Sequence, residues 1–186
     1  MAKASKSIVP QIEVRTRRAY FDCKFGQLHV RTAFPTTGGF DEQVTLFCLH
    51  ALEGSSRDFG HILAALADVR SVYAPDLPGF GESDSSPARS IVDAATATSD
   101  LASGLRLRQI DVLGVQYGAE VALQLAAARP ELVRRLVLAN LSGTERLPAV
   151  KQPRLILDVA RAGDAPFEAA PADLTKQISA FLRETQ

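Results

Sequence analysis

Apolar residues along this chain fall into short runs separated by polar, glycine- or proline-containing segments, and the period of the runs changes along the way. Residues 20–24 and 28–32 flank Phe25-Gly26 and read as a hairpin with glycine in its turn. Residues 44–50 (VTLFCLH) form a continuous apolar run, the pattern of a strand covered on both faces. After a loop at 51–57, Phe59, Ile62, Leu63 and Leu66 recur at helical spacing behind Asp58, a candidate N-cap. A strand at 69–74 leads into the turn-rich loop 75–84 (PDLPGFGESD), and 88–105 reads as a helix rich in Ala and Thr. Strand 109–113, a helix at 116–128 that stops before Pro130, and strand 133–140 follow. From 44 to 140 strand and helix thus alternate, which predicts a mostly parallel sheet with helices on both faces and right-handed crossovers. Beyond a short linker, 153–159 (PRLILDV) is a further strand. Residues 171–183 form an amphipathic helix with Leu174, Ile178, Phe181 and Leu182 on one side.

The centre of this pattern is 110–118, IDVLGVQYG. An aliphatic strand runs into Gly-x-Gln-x-Gly and straight on into a helix, the arrangement of a nucleophile elbow, which holds its middle residue at the tip of a sharp turn. Gly114 and Gly118 suit a place where strand and helix backbones cross closely. The tip residue is Gln116, and an amide has no useful nucleophilicity. The expectation is a catalytic scaffold without its usual covalent chemistry.

Composition narrows the partners rather than the fold. A chain of 186 residues fits one domain with a sizeable core, residues 1–186, with 1–17 polar and partly flexible. Its 21 Lys and Arg balance 21 Asp and Glu, which gives no case for nucleic acid or an acidic membrane surface as partner. No run approaches the length of a membrane helix and the N-terminus lacks an apolar leader, so a cytoplasmic protein is expected. Cys23 and Cys48 fall in strands, where a free Cys is a small core residue. His29, His50 and His61 have no metal-ligand spacing. Neither a metal nor a cofactor is expected.

Taken in order, five stretches resemble the α/β-hydrolase fold family, in its esterase, epoxide hydrolase and carbon–carbon hydrolase branch. RRAYFDCKFGQLHVR is similar to the leading strands, LHALEGSSRDF to the oxyanion loop, and APDLPGFGESD to the loop after the next strand. LGVQYGAEVALQLAAARPELVRRLVLAN is similar to the elbow, its helix and the following strand, and APFEAAPADLTKQISAFLRE to the terminal segment. The resemblance implies a three-layer α/β/α fold: a mostly parallel sheet with an antiparallel N-terminal hairpin, shortened by the cap and by one strand–helix unit.

The departures from the family bear on function. The resemblance implies a Ser, Asp or Cys at the tip, an acid after a later strand and a His after the last strand. Gln116 occupies the tip, and no histidine follows His61. Asp164 in Ala162-Gly163-Asp164 is one candidate for the lost base, and Asp158, after a strand similar to the family's penultimate one, is the alternative acid. Whether 153–159 is the penultimate or the last strand stays open. Oxyanion-type donors, by the same resemblance, are the backbone amides of Leu52 and Tyr117, where backbone N–H groups do the work. His50 and Ala51 support that loop, in place of the family's His-Gly, and Ser55 and Ser56 add hydroxyls.

The leading expectation is therefore a non-hydrolytic member that acts by binding a small apolar ligand or a protein. Through the surface that a missing cap exposes it would form a homo-oligomer or dock on a related hydrolase-like protein. The alternative is a lyase, isomerase or cyclase that uses Gln116, Asp164 and the backbone donors for positioning and charge stabilisation.

Overall fold

The computed structural model describes residues 16–36, 43–87, 90–141, 148–159, 167 and 172–184. A hairpin opens the fold: β1 (Arg17–Cys23) pairs antiparallel with β2 (Gly26–Ala33) across a turn at Lys24 and Phe25. Strands β3 (Leu46–Leu49), β4 (Val72–Pro75), β5 (Ile110–Val115), β6 (Val133–Ala139) and β7 (Arg154–Leu157) complete a sheet of order β1-β2-β4-β3-β5-β6-β7. β2 joins β4 antiparallel, and every pairing from β4 to β7 is parallel. The expected mixed sheet is present.

The sheet's alternation explains why its central strands read as unbroken apolar runs. In β3, Phe47 and Leu49 pack on one side, with Val112 and Leu138, against α2 (Ile91–Gly104) and α3 (Tyr117–Ala128). Leu46 and Cys48 pack on the other, with Leu113 and Val137, against α1 (Leu63–Leu66) and α4 (Ala172–Arg183). Both faces are buried, so a polar residue is tolerated in a strand only with a partner. Ser90 caps α2, its hydroxyl accepting the Asp93 N–H at 3.1 Å. On α4 the apolar stripe Ile178 and Leu182, with Leu174 and Phe181 beside it, faces the sheet. Guanidiniums from β6 finish that helix. Arg134 donates to the Leu182 carbonyl at 2.8 Å and Arg135 to the Phe181 carbonyl, which satisfies groups the helix end leaves open.

One local expectation is corrected. Asp58 does not cap a long first helix: Ser55 caps a 3₁₀ turn at Ser56–Phe59, and only Leu63–Leu66 is α-helical. A Ser one residue ahead of the turn reaches the orphan N–H of Arg57, and Asp58 already lies inside the turn. Residues 153–159, whose place in the family sheet was open, stand directly beside β6. Residues 1–15 lie outside the described residues.

Candidate functional site

The elbow is set by close backbone crossings. A Cβ on Gly118 would lie 2.1 Å from the Leu49 carbonyl oxygen, and one on Gly114 would lie 2.3 Å from the Gly118 oxygen. Only glycine permits α3 to start against the end of β3 this tightly. The chain reverses at Gln116 with φ 49° and ψ −111°, a conformation that costs a side-chain-bearing residue about 1–3 kcal/mol. Hydrogen bonds hold it there: the Gln116 N–H donates to Ala139 O at 2.9 Å, and Gln116 O accepts from the Ala119 N–H at 2.9 Å. The half-buried Gln116 side chain therefore sits at the C-terminal ends of β5 and β6, at the mouth of the sheet.

Two loops border it. The loop after β3 contains His50, Ala51 and Leu52, and the contact of Gly118 with Leu49 and His50 brings that loop beside the Gln116–Tyr117 turn. Ala51 is buried with no positive φ; the left-handed residue of this loop is Glu53, at φ 63°. Alanine in place of the family's glycine is thus unstrained. Leu52 is 57% exposed, an apolar side chain at the rim. From the loop after β4, Phe80 reaches both neighbours, with ring centroids 5.5 Å from His50 and 6.2 Å from Tyr117. Burial pushes the Tyr117 phenol up, with Asp93 and Glu120 adding to it, so its hydroxyl stays protonated at neutral pH.

His50 is committed to structure at both ring nitrogens. The Leu77 N–H donates to Nε2 at 2.9 Å, which fixes the proton on Nδ1, and Nδ1–H donates to the Ala51 carbonyl at 2.7 Å. Burial lowers its pKa and keeps the ring neutral. It pins the loops after β3 and β4 together and has no nitrogen left to take a proton from the tip.

His29 occupies a place the sequence did not suggest. Its position in the leading hairpin gives no sign that it lies beside the loops at the C-terminal ends of the parallel strands. Because β2 runs antiparallel to β4, its early residues fall level with the C-terminal end of β4, and Val30 pairs with Pro75. His29 Nδ1 lies 2.9 Å from Asp76 Oδ2, with both side chains buried. Asp76 also accepts the N–H groups of Ser56 at 2.6 Å and Glu82 at 2.8 Å. Burial alone would raise its carboxyl; the bonds from Glu82, Ser56 and His29 outweigh that and hold it below the usual carboxylate range. Arg57 extends the network to Glu82 at 2.8 Å. This cluster stitches the loop after β3 to the loop after β4, and its only sequence signal is a run of polar residues where strands end. His61, the remaining histidine, is exposed and lines a groove of about 660 Å³ between α1 and α4 with Asp68, Lys176 and Arg183, away from the elbow.

The other sequence-derived candidates are scattered. Ser55 caps its 3₁₀ turn, and Ser56 is buried on Asp76. Asp158 is exposed past the end of β7, and Asp164 lies outside the described residues. The structure brings together Gln116, Tyr117, His50, Ala51 and Leu52, with Phe80 as an addition, and leaves Ser55, Ser56 and Asp158 apart.

The comparisons agree with this geometry. The family model described as alpha/beta hydrolase fold matches residues 44–184. An uncharacterised protein of Mycobacterium bovis is 30% identical over 74% of this chain and 37% of its own. A 2-hydroxymuconate semialdehyde hydrolase of a Pseudomonas species is 40% identical over 48% of this chain and 34% of its own. The match thus spans little more than a third of the length of these curated relatives. A solved epoxide hydrolase structure, CorEH without ligand, superposes with a TM-score of 0.62 at 26% identity, over 68% of this chain and 43% of that one.

Proposed function

The chain belongs to the α/β-hydrolase fold family, and from that premise we propose that it is a non-hydrolytic member that works by binding, with a small apolar molecule as the ligand held at its elbow. One observation carries the reading: the tip is an amide, and each of the three histidines is engaged or distant from it. Covalent hydrolysis needs a nucleophile within hydrogen-bond reach of a base. Gln116 is not such a nucleophile, and His50 has both nitrogens in use. The surroundings nevertheless suit a ligand: Leu52, Phe80 and Tyr117 give apolar surface, and an amide at the tip can both donate and accept.

The test is turnover of a panel of p-nitrophenyl esters by the wild-type chain and by Gln116→Ala and Gln116→Ser. The expected rate is that of buffer for all three, because restoring a hydroxyl at the tip supplies no base. Turnover by the wild type that is lost in a folded Gln116→Ala variant would overturn the reading.

A further inference from the structure

The outermost strand of the sheet points to a site that the elbow does not use. Among the described residues, β7 pairs with β6 alone and nothing covers its outer edge. Pro153 and Leu157 turn their carbonyls inward, to the N–H groups of Leu136 and Asn140. The Asn140 side chain prolongs this ladder by one residue: its Oδ1 accepts the Val159 N–H at 2.7 Å, and its amide donates to Val159 O at 3.0 Å. Backbone groups alternate sides along a strand, so Arg154, Ile156 and Asp158 direct their N–H and C=O outward. An open row of this kind is a template for another strand.

The side chains say which strand fits. Residues 154–158 read Arg-Leu-Ile-Leu-Asp, a run that is symmetric about Ile156 in its apolar residues and antisymmetric in its charges. Laid antiparallel on a second copy with Ile156 opposite the partner's Ile156, Arg154 falls opposite the partner's Asp158, and Asp158 opposite the partner's Arg154. These are the residues whose backbone groups face outward, so each facing pair exchanges both of its hydrogen bonds in the same register. Directly opposed residues share a face, which puts the charged pairs on either side of the two isoleucines. Ile156 is 60% exposed in the single chain. It borders a shallow cavity of about 220 Å³ lined by Leu123, Leu138, Leu141, Pro148 and Ala149, and the two-fold would double this apolar floor.

We propose that two copies of this chain associate edge to edge through β7, antiparallel and centred on Ile156, to form one continuous sheet across a two-fold axis. The proposal rests on the edge strand and is independent of whether the elbow hydrolyses anything.

Sedimentation velocity of the full chain from low-micromolar to near-millimolar concentration tests it, with circular dichroism to confirm folding. The wild type is expected to dimerise. Arg154→Asp and Asp158→Arg, each alone, set like charges opposite each other twice and are expected to raise the dimer's Kd about tenfold or more. The double variant restores opposite charges in swapped order and is expected to return to about wild-type affinity. Ile156→Pro removes an N–H that faces outward and not toward β6, so it is expected to give a folded monomer. A wild type that stays monomeric throughout overturns the proposal. So does a dimer that ignores the single reversals, or one that the double reversal fails to rescue.

Discussion

Strand β5 carries a buried charge near its start and a strained amide just past its end, and the two have been treated in opposite ways. At the N-terminal end, Asp111 is fully buried and fully answered. Arg134 grips its two oxygens at 2.9 and 2.7 Å, and the buried Arg70 donates at 3.1 Å. At the C-terminal end, Gln116 keeps a positive φ that its side chain does not require and carries no group able to react. One end is a charge network drawn in around a single carboxylate. The other is a geometry held open by its neighbours. Glycine crossings and backbone bonds hold the shape of the elbow around a tip that carries an amide.

The largest expected effect lies at the charged end. Asp111→Ala leaves the buried Arg70 and the partly buried Arg134 without their anion, and the loss of one member of such a cluster costs about 3–5 kcal/mol. Arg134 also holds the last turn of α4, so the damage should spread to that helix. Urea unfolding of wild type and variant measures it. A loss under about 1 kcal/mol would mean that the guanidiniums find water or other partners, and the contrast between the two ends would fail.

How much of this could be read from residues alone follows the same division. The elbow was legible because its requirements are local: two glycines four residues apart and an apolar run leading into them. The central strands were legible because burial on both faces leaves an unbroken apolar run. Short-range competition hid the first crossover, where Ser55, not Asp58, takes the cap. The polar clusters were out of reach for another reason. Asp111 meets Arg70 across 41 residues and Arg134 across 23, and His29 meets Asp76 across 47. Only the crossover order of the sheet brings them together. An Asp in a strand as apolar as IDVLGV calls for a buried partner. Nothing local said which.

A smaller effect, of opposite sign, is expected at the tip. Gln116→Gly removes the cost of a side chain at φ 49°, about 1–3 kcal/mol, and adds the chain entropy of glycine, about 0.5–1 kcal/mol. The variant should gain about 1 kcal/mol net, which for a chain of this size raises Tm by about 2–4 °C. A variant that loses stability instead would show that the amide's own contacts outweigh the strain, so that Gln116 is held for its side chain and not only by its surroundings.

The last expected effect is confined to one proton and vanishes at neutral pH. Burial lowers the pKa of His50 below its ordinary value near 6.5, while the unfolded chain keeps that ordinary value. Above it, both states are neutral and the stability is fully present. As the pH falls below it, the unfolded chain binds a proton that the native state refuses, so stability drops toward the folded pKa. The Asp76 contribution is lost only as the pH falls from the ordinary carboxylate value downward, because its folded pKa is also lowered, and that window lies below the interval from pH 7 to 5. Unfolding free energy measured from pH 7 to 5 should therefore fall in the wild type and fall less steeply in His50→Gln, which starts lower because it loses the bond from Leu77. Equal slopes would place the titrating group elsewhere. They would also remove the reason for treating His50 as the neutral pin that leaves the tip without a base.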